Sequence, residues 1–418
     1  MNKLLKFVKG LEPNKEKSPF MHTLYDGFFT FLYSPDHVTH GPGVHIRDRM
    51  DLKRLMVHVV LALGACYLFG MYNAGHQHFT ALGMHTGFFD AANLKLHFGI
   101  GKMIPIFLVT HIVGLGIEFY YAARKGHAIE EGFLVSGALI PLIMPPDIPL
   151  LWLAMAVAFA VILGKEAFGG TGMNVWNIAL LARVFIFFAY PTTISGDEVW
   201  VAGLEGTAAG SAVEYSWWHT WLGNGVFDLF GWNLFDSTAV VADGYTGATP
   251  LGLAAKGGWE AVVNVYSEAQ MWWGTIPGSI GETCKPIILL GAAFLMLTRV
   301  ASWRIMFSMF LGAIITGMLF NASGATDFMA VPWQYHFYMG SFFFAMAFMA
   351  TDPVTAASTA TGKWIYGFMI GVVGMIVRVL NPAYPEGWML AILFMNTFAP
   401  LIDHFILQSN ISKRLKHA

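Results

Sequence analysis

The feature that most constrains this chain is a succession of apolar runs, each close to the length that crosses a bilayer, joined by short polar turns. About twenty apolar residues in a helix cover the roughly 30 Å of hydrocarbon in a membrane. Such runs fall at residues 54–73, 103–123, 132–145, 148–164, 175–190, 278–298, 301–321, 332–351, 364–380 and 387–408. In lipid every backbone polar group needs an internal partner, so a run of this length reads as a helix. The expected fold is an all-α polytopic membrane protein with about ten transmembrane helices. Composition agrees: 56% of residues are hydrophobic and 12% charged, against roughly 25% charged in soluble domains. Two runs are atypical. Residues 132–145 are short and stop at Pro145-Pro146, and residues 175–190 begin just after a Gly-rich break.

The polar segments divide the chain into a basic N-terminal arm (1–53), a first transmembrane block (54–190), a long loop (191–277), a second block (278–408) and a short tail (409–418). The arm lacks the apolar core of a cleavable signal. Basic residues mark cytoplasmic turns. Arg124, Lys125, Lys165, Arg299, Lys363 and the tail residues Lys413, Arg414 and Lys416 all fall on one side if ten spans are counted from a cytoplasmic N-terminus. The 191–277 loop then faces outward, with one basic residue, Lys256, against nine acids. The expected location is a bacterial inner membrane with both termini cytoplasmic. Net charge is −2, so nothing draws the chain toward nucleic acid.

Five runs precede the long loop and five follow it. Glu131-Gly132 and Trp152 in the first block are echoed by Gly281-Glu282 and Trp303 in the second. An odd number of spans per half forces the halves into opposite orientation, the plan of transporters built from two inverted repeats with broken helices.

Chemistry-bearing residues are few. Asp243-Gly244-Tyr245-Thr246-Gly247-Ala248-Thr249 lies in the long loop and ends in a Thr on a Gly-rich turn. Its hydroxyl can be esterified to a phosphate, and the pattern Asp-x-x-Thr-Gly-Ala-Thr resembles the attachment motif for covalently bound FMN, although Thr-Gly-Ala-Thr alone fits an ordinary turn equally well. A similar stretch, Ser323-Gly324-Ala325-Thr326, has Phe320 in place of the acid. The break from Gly164 to Asn174 includes Gly169-Gly170-Thr171-Gly172, a pattern that survives in a membrane where it lines a cavity or is covered by protein. Asn174 and Asn177, three apart, share a face if helical, and their amides suit the edge of a heterocycle; a tight turn with a polar helix start is the plainer alternative. Glu118, Asp352 and Asp403 are acids in or at the ends of spans, where ionisable groups are costly and mark function; as oxygen donors they suit a hard cation, and structural capping or pairing is the other reading. His76, His78 and His85 cluster beyond the first run without further metal ligands, which favours a structural or solvated role. Cys66 and Cys284 lie in apolar runs and suggest neither a disulfide nor a metal site. No dinucleotide or iron–sulfur motif is present, so electrons reach this chain from elsewhere.

Several segments in one order carry a resemblance. They include Asp51-Leu52-Lys53-Arg54, Met71-Tyr72-Asn73-Ala74-Gly75, Phe187-Phe188-Ala189-Tyr190-Pro191, Ile276-Pro277-Gly278-Ser279-Ile280-Gly281-Glu282, Met349-Ala350-Thr351-Asp352-Pro353-Val354 and Asn381-Pro382-Ala383-Tyr384-Pro385-Glu386-Gly387. With the Asp243–Thr249 motif, these resemble the B subunit of the Na⁺-translocating NADH:quinone oxidoreductases (the Nqr complex). The resemblance implies a translocase component with covalent FMN on Thr249, held in the motif Asp243, Thr246, Gly247 and Ala248. It implies riboflavin near Ser136, Asn174 and Asn177, and ubiquinone near Gly114, where the family's Gly-Gly pair here reads Gly114-Leu115. It implies a Na⁺ path past Glu118, Asp352 and Asp403. The implied partners are five other subunits (A, C, D, E and F), the lipid bilayer, and a periplasmic flavin transferase during maturation. The D subunit of the related Rnf complex, or a flavin-free passive transporter on the same scaffold, are the alternatives. Residues 201–240 form a longer loop than the resemblance predicts.

Overall fold

The computed structural model describes residues 52–125, 132–191, 194, 200–204, 240–242, 247–381 and 386–416, with a few scattered residues of the arm. Asp243, Thr246 and nearly all of the 1–53 arm lie outside the described residues.

Among the described residues the fold is helical, with no β-strand. The principal helices are α1 (Leu52–Ala81), α2 (Ala92–Lys125), α3 (Phe133–Ile143), α4 (Leu150–Gly164) and α5 (Ile178–Ala189), then α6 (Pro250–Val263, broken by a kink at Gly257 and Gly258) and α7 (Glu268–Trp273) after the long loop, then α8 (Lys285–Leu297), α9 (Trp303–Ser323), α10 (Ala360–Leu380) and α11 (Trp388–Leu415). Among the described residues six stretches, α1, α2, α4 extended through the turn that ends at Phe168, α9, α10 and α11, are long and apolar enough to cross a membrane. The chain is a multi-pass membrane protein.

The other expected spans are shorter or broken, and the reasons are local. At 1.5 Å per residue, the 11 residues of α3 reach about half the hydrocarbon thickness. α3 ends because Met144 is extended, with ψ 155°, as the residue before a proline prefers. α5 and α8 have 12 and 13 residues, also short of a crossing. The expected 332–351 helix is interrupted. A single turn at Tyr335–Tyr338 is followed by Gly340 in the left-handed region, φ 74°. Phe342–Phe344 then runs into a π turn over Ala345–Met349, closed by Ala350 N donating to Ala345 O at 2.8 Å. π turns of this kind concentrate at functional positions.

One apolar core links both blocks, from Leu63 on α1 through Leu142 and Leu180 to Phe344, Ile370 and Ile392. Within the first block α4 packs on α2 and α5; within the second, α10 packs on α9 and α11. The α9–α10 contact is close because it is built on small residues: a Cβ at Gly371 would lie 2.7 Å from Ala313 N. The segment before α8 sits against the end of α3, where Gly281 N donates to Leu142 O at 2.7 Å. The two arginines inside this core are both held. Arg183 reaches Ser279 Oγ at 3.0 Å and Glu282 at 3.9 Å, and Arg378 donates to the carbonyls of His336 and Met339.

Candidate functional site

A cleft open to the surface lies where the two blocks meet. Ser136 on α3, Lys165, Asn174 and Asn177 from the Gly-rich break, and Thr351 and Asp352 after the π turn all line it. The three residues expected near riboflavin are therefore brought together, and Asp352 joins them.

The way they are held differs from the expectation. Residues 169–177 are irregular, and α5 begins only at Ile178, so Asn174 and Asn177 do not share a helix face. Gly169, Gly170 and Gly172 take φ of 119°, 110° and 87°, a region open to glycine and costly for other residues, and this folds the break around the cleft. Asn177 is the N-cap of α5: its Oδ1 accepts from Leu180 N at 3.2 Å while its Nδ2 donates to Asp352 Oδ2 at 3.3 Å. Asn174 Nδ2 donates to Trp176 O at 3.0 Å. Asp352 also accepts from Val354 N and Thr355 Oγ1, each at 3.1 Å.

Glu118 and Asp403 stand apart from Asp352. Glu118 is buried on α2 and ion-paired with Lys165, so it meets the cleft only through the lysine. Asp403 accepts from Ser358 N at 2.6 Å, Thr359 N at 3.1 Å and Thr359 Oγ1 at 2.5 Å, and in doing so it secures the start of α10. Gly114 lies against α3, where any side chain would run into the Phe133 ring; it does not line the cleft. His78 is buried and stacked on Phe98 with centroids 4.0 Å apart, and His85 pairs with Asp90 at 3.1 Å, in keeping with a structural reading of that cluster. Among the described residues no group of His, Cys, Asp or Glu is arranged to hold a metal.

The second candidate site is Thr249, with Gly247 and Ala248 before it. Thr249 is half-buried rather than fully exposed and is the N-cap of α6, its Oγ1 accepting from Gly252 N at 3.1 Å with Pro250 in the first turn. An ester oxygen still accepts a hydrogen bond, so this cap survives esterification. A helix N-terminus also favours a phosphate through its exposed N–H groups and dipole. The stretch is braced on both sides: Trp200 N donates to Gly247 O at 3.0 Å and Tyr266 OH to Ala248 O at 2.9 Å. Thr326, exposed, caps only the single turn Asp327–Ala330. That turn packs against α6 through Phe328, Leu251 and Ala254, a relation with no signal in the sequence.

Sequence reasoning also misses the buried ion pairs. Lys102 meets Asp147 at 2.5 Å, but the two are 45 positions apart (147 − 102) and Lys102 sits just before the start of an expected span. Their only sequence signal is a lysine and an aspartate beside apolar runs.

A helical membrane scaffold with a cleft at the join of two blocks and a capped, braced threonine in its long loop defines a polytopic membrane protein suited to small-molecule binding. The chain belongs to the NQR2, RnfD, RnfE family, whose model matches residues 39–412. Its relatives include proteins named as the B subunit of Na⁺-translocating NADH-quinone reductase: one from Chromohalobacter salexigens is 43% identical over 94% of this chain and 91% of its own. The one from Pseudomonas aeruginosa strain PAO1 is 42% identical over 94% and 93%, and that from Azotobacter vinelandii is 41% identical over 98% of each.

Proposed function

We propose that this chain is the B-type membrane component of a Na⁺-translocating NADH:quinone oxidoreductase, with FMN esterified to Thr249 and riboflavin in the cleft. The flavins supply electron transfer toward ubiquinone. The chain's part is to hold them and to shape an ion path. The observation that carries the reading is Thr249 as the N-cap of α6, its Oγ1 accepting from Gly252 N while Tyr266 OH holds the carbonyl of Ala248 before it. At the cleft, Ser136 and Asn174 offer polar edges to a ring system, while Asn177 and Thr355 orient the Asp352 carboxylate. Na⁺ passing Asp352 displaces donors the carboxylate already holds, so its affinity depends on how firmly Asn177 is placed. The matching helix packing of the two blocks supports an inverted-repeat scaffold of ten membrane elements, some reaching only part way across.

The two sites lie toward opposite ends of α2. Lys102, next to the loop end, and Glu118, next to the cleft, are 16 residues apart (118 − 102), or about 24 Å of helix rise. Arg124, Lys125 and Lys165 gather at the Glu118 end, which supports a cytoplasmic cleft side and a periplasmic Thr249 reached by a flavin transferase. Ubiquinone, Na⁺ and the five other components of the complex are the partners of this reading.

The test is ultraviolet fluorescence of the denatured polypeptide on a gel after co-expression with the transferase. A fluorescent band is expected in the wild type and in Thr326→Val, and is lost in Thr249→Val. No band in the wild type removes the redox role and makes the chain a flavin-free transporter.

A further inference from the structure

The residues that carry Thr249 are tied to the membrane block by contacts that no flavin needs to be present to form. Asp147 lies in the short link between α3 and α4. One of its carboxylate oxygens meets Lys102 Nζ at 2.5 Å, and Lys102 is 1% exposed. The other accepts from Gly203 N. Beside it, the buried imidazole of His78 on α1 donates from Nδ1 to Ala202 O at 2.7 Å. The segment Val201–Leu204 packs with Ala81 and Val241 in a small apolar cluster, and Ala242 N donates to Ala81 O at 2.9 Å. From this clamped segment Trp200 N donates to Gly247 O, two residues before Thr249. Trp200 also faces the Arg183 guanidinium at 5.9 Å.

The geometry points to Asp147 as a positioning residue for the flavin-bearing threonine. It fastens the 200–204 segment to α2 and to the end of α3, and that segment fixes Gly247 and so Thr249. A carboxylate shared between a buried lysine and a backbone N–H is worth more than two separate neutral contacts, because both hydrogen bonds are charge-assisted. The same link continues into α3, whose Ser136 lines the cleft. Asp147 is therefore the contact through which the loop end is referenced to the cleft wall. The inference rests on the proposed flavin at Thr249, but the placement of residue 249 is measurable without it.

The experiment uses the whole complex, co-expressed with the transferase. In one arm, the rate of covalent flavin transfer to Thr249 is followed by in-gel fluorescence per assembled complex. In the other, Thr249→Cys is labelled with a membrane-impermeant maleimide; the native Cys66 and Cys284 are buried. Asp147→Ala should slow flavin transfer and speed labelling by roughly tenfold each, the scale of one lost charge-assisted hydrogen bond. Asp147→Asn, which still accepts from Gly203 N but loses the charge paired with Lys102, should fall between the parent and Asp147→Ala in both. His78→Phe keeps the ring stack, loses the Ala202 contact, and should shift both rates in the direction of Asp147→Ala. The inference is overturned if Asp147→Ala matches the parent, or if Asp147→Asn falls as far as Asp147→Ala. If Asp147→Ala does not assemble, His78→Phe decides: parental rates overturn the clamp. If the wild type carries no flavin, the proposed function fails while the labelling arm still judges the clamp.

Discussion

Asn177 divides one amide between two elements: its oxygen caps α5 and its nitrogen holds Asp352. The two roles separate by substitution. Asn177→Asp keeps the cap acceptor but replaces the donor with a second acid facing Asp352. Asn177→Ala loses both and costs about 1 kcal/mol for the cap alone. The expected outcome is a lower melting temperature in both, through the lost cap in Asn177→Ala and the facing acids in Asn177→Asp, with extractable riboflavin and the Na⁺ dependence of quinone reduction altered in both. Equal, wild-type Na⁺ dependence in both variants would remove Asn177 from the site. Residues of this kind are legible in part. The types Asn, Asp and Thr in broken apolar runs mark them, but the helix-face argument for Asn174 and Asn177 fails because three glycines at positive φ carry the backbone away from helical geometry before α5 starts.

At the scale of elements, the glycines of the second block set how closely helices approach. Gly371 and Gly312 let α9 and α10 meet backbone to backbone. Gly371→Leu must push the pair apart and should destabilise the protein by about 1–3 kcal/mol, read as a lower melting temperature in detergent, with Gly116→Ala, where nothing lies within 4 Å, as the control. An unchanged melting temperature would show that the α9–α10 contact yields freely. Apolar runs locate the main membrane helices because hydrophobic length is written directly in the sequence. What they do not give is length across the bilayer. Pro145-Pro146 signals the end of α3, yet the shortness of α5 and α8 arises from flanking segments held by tertiary contacts, such as Gly281 on Leu142, which pairs residues 139 positions apart (281 − 142). Ion pairs such as Lys102–Asp147 escape for the same reason.

For the whole molecule, the arrangement along α2 separates a loop end from a cleft end, and the proposed function has them face opposite sides of the membrane. With Cys66 and Cys284 buried, single cysteines report this cleanly. Thr249→Cys in intact, energised cells grown without the transferase should react with an impermeant maleimide, whereas Lys413→Cys, exposed near the end of α11, should react only after permeabilisation. The reverse pattern would invert the topology and with it the direction of ion movement.

The π turn at Ala345–Met349 has an arithmetic of its own. It accommodates one residue more than an α-helical turn, and everything after it inherits that offset. Each residue of an α-helix turns the chain by about 100°. A chain one residue shorter between Ala345 and Met349 would close as ordinary α-helix and swing Thr351 and Asp352 by about that angle, out of the cleft and toward the neighbouring helices. Deleting one residue, which most surface loops absorb, is here equivalent to re-aiming a carboxylate, so the extra residue is what keeps Asp352 on the cleft side of the element.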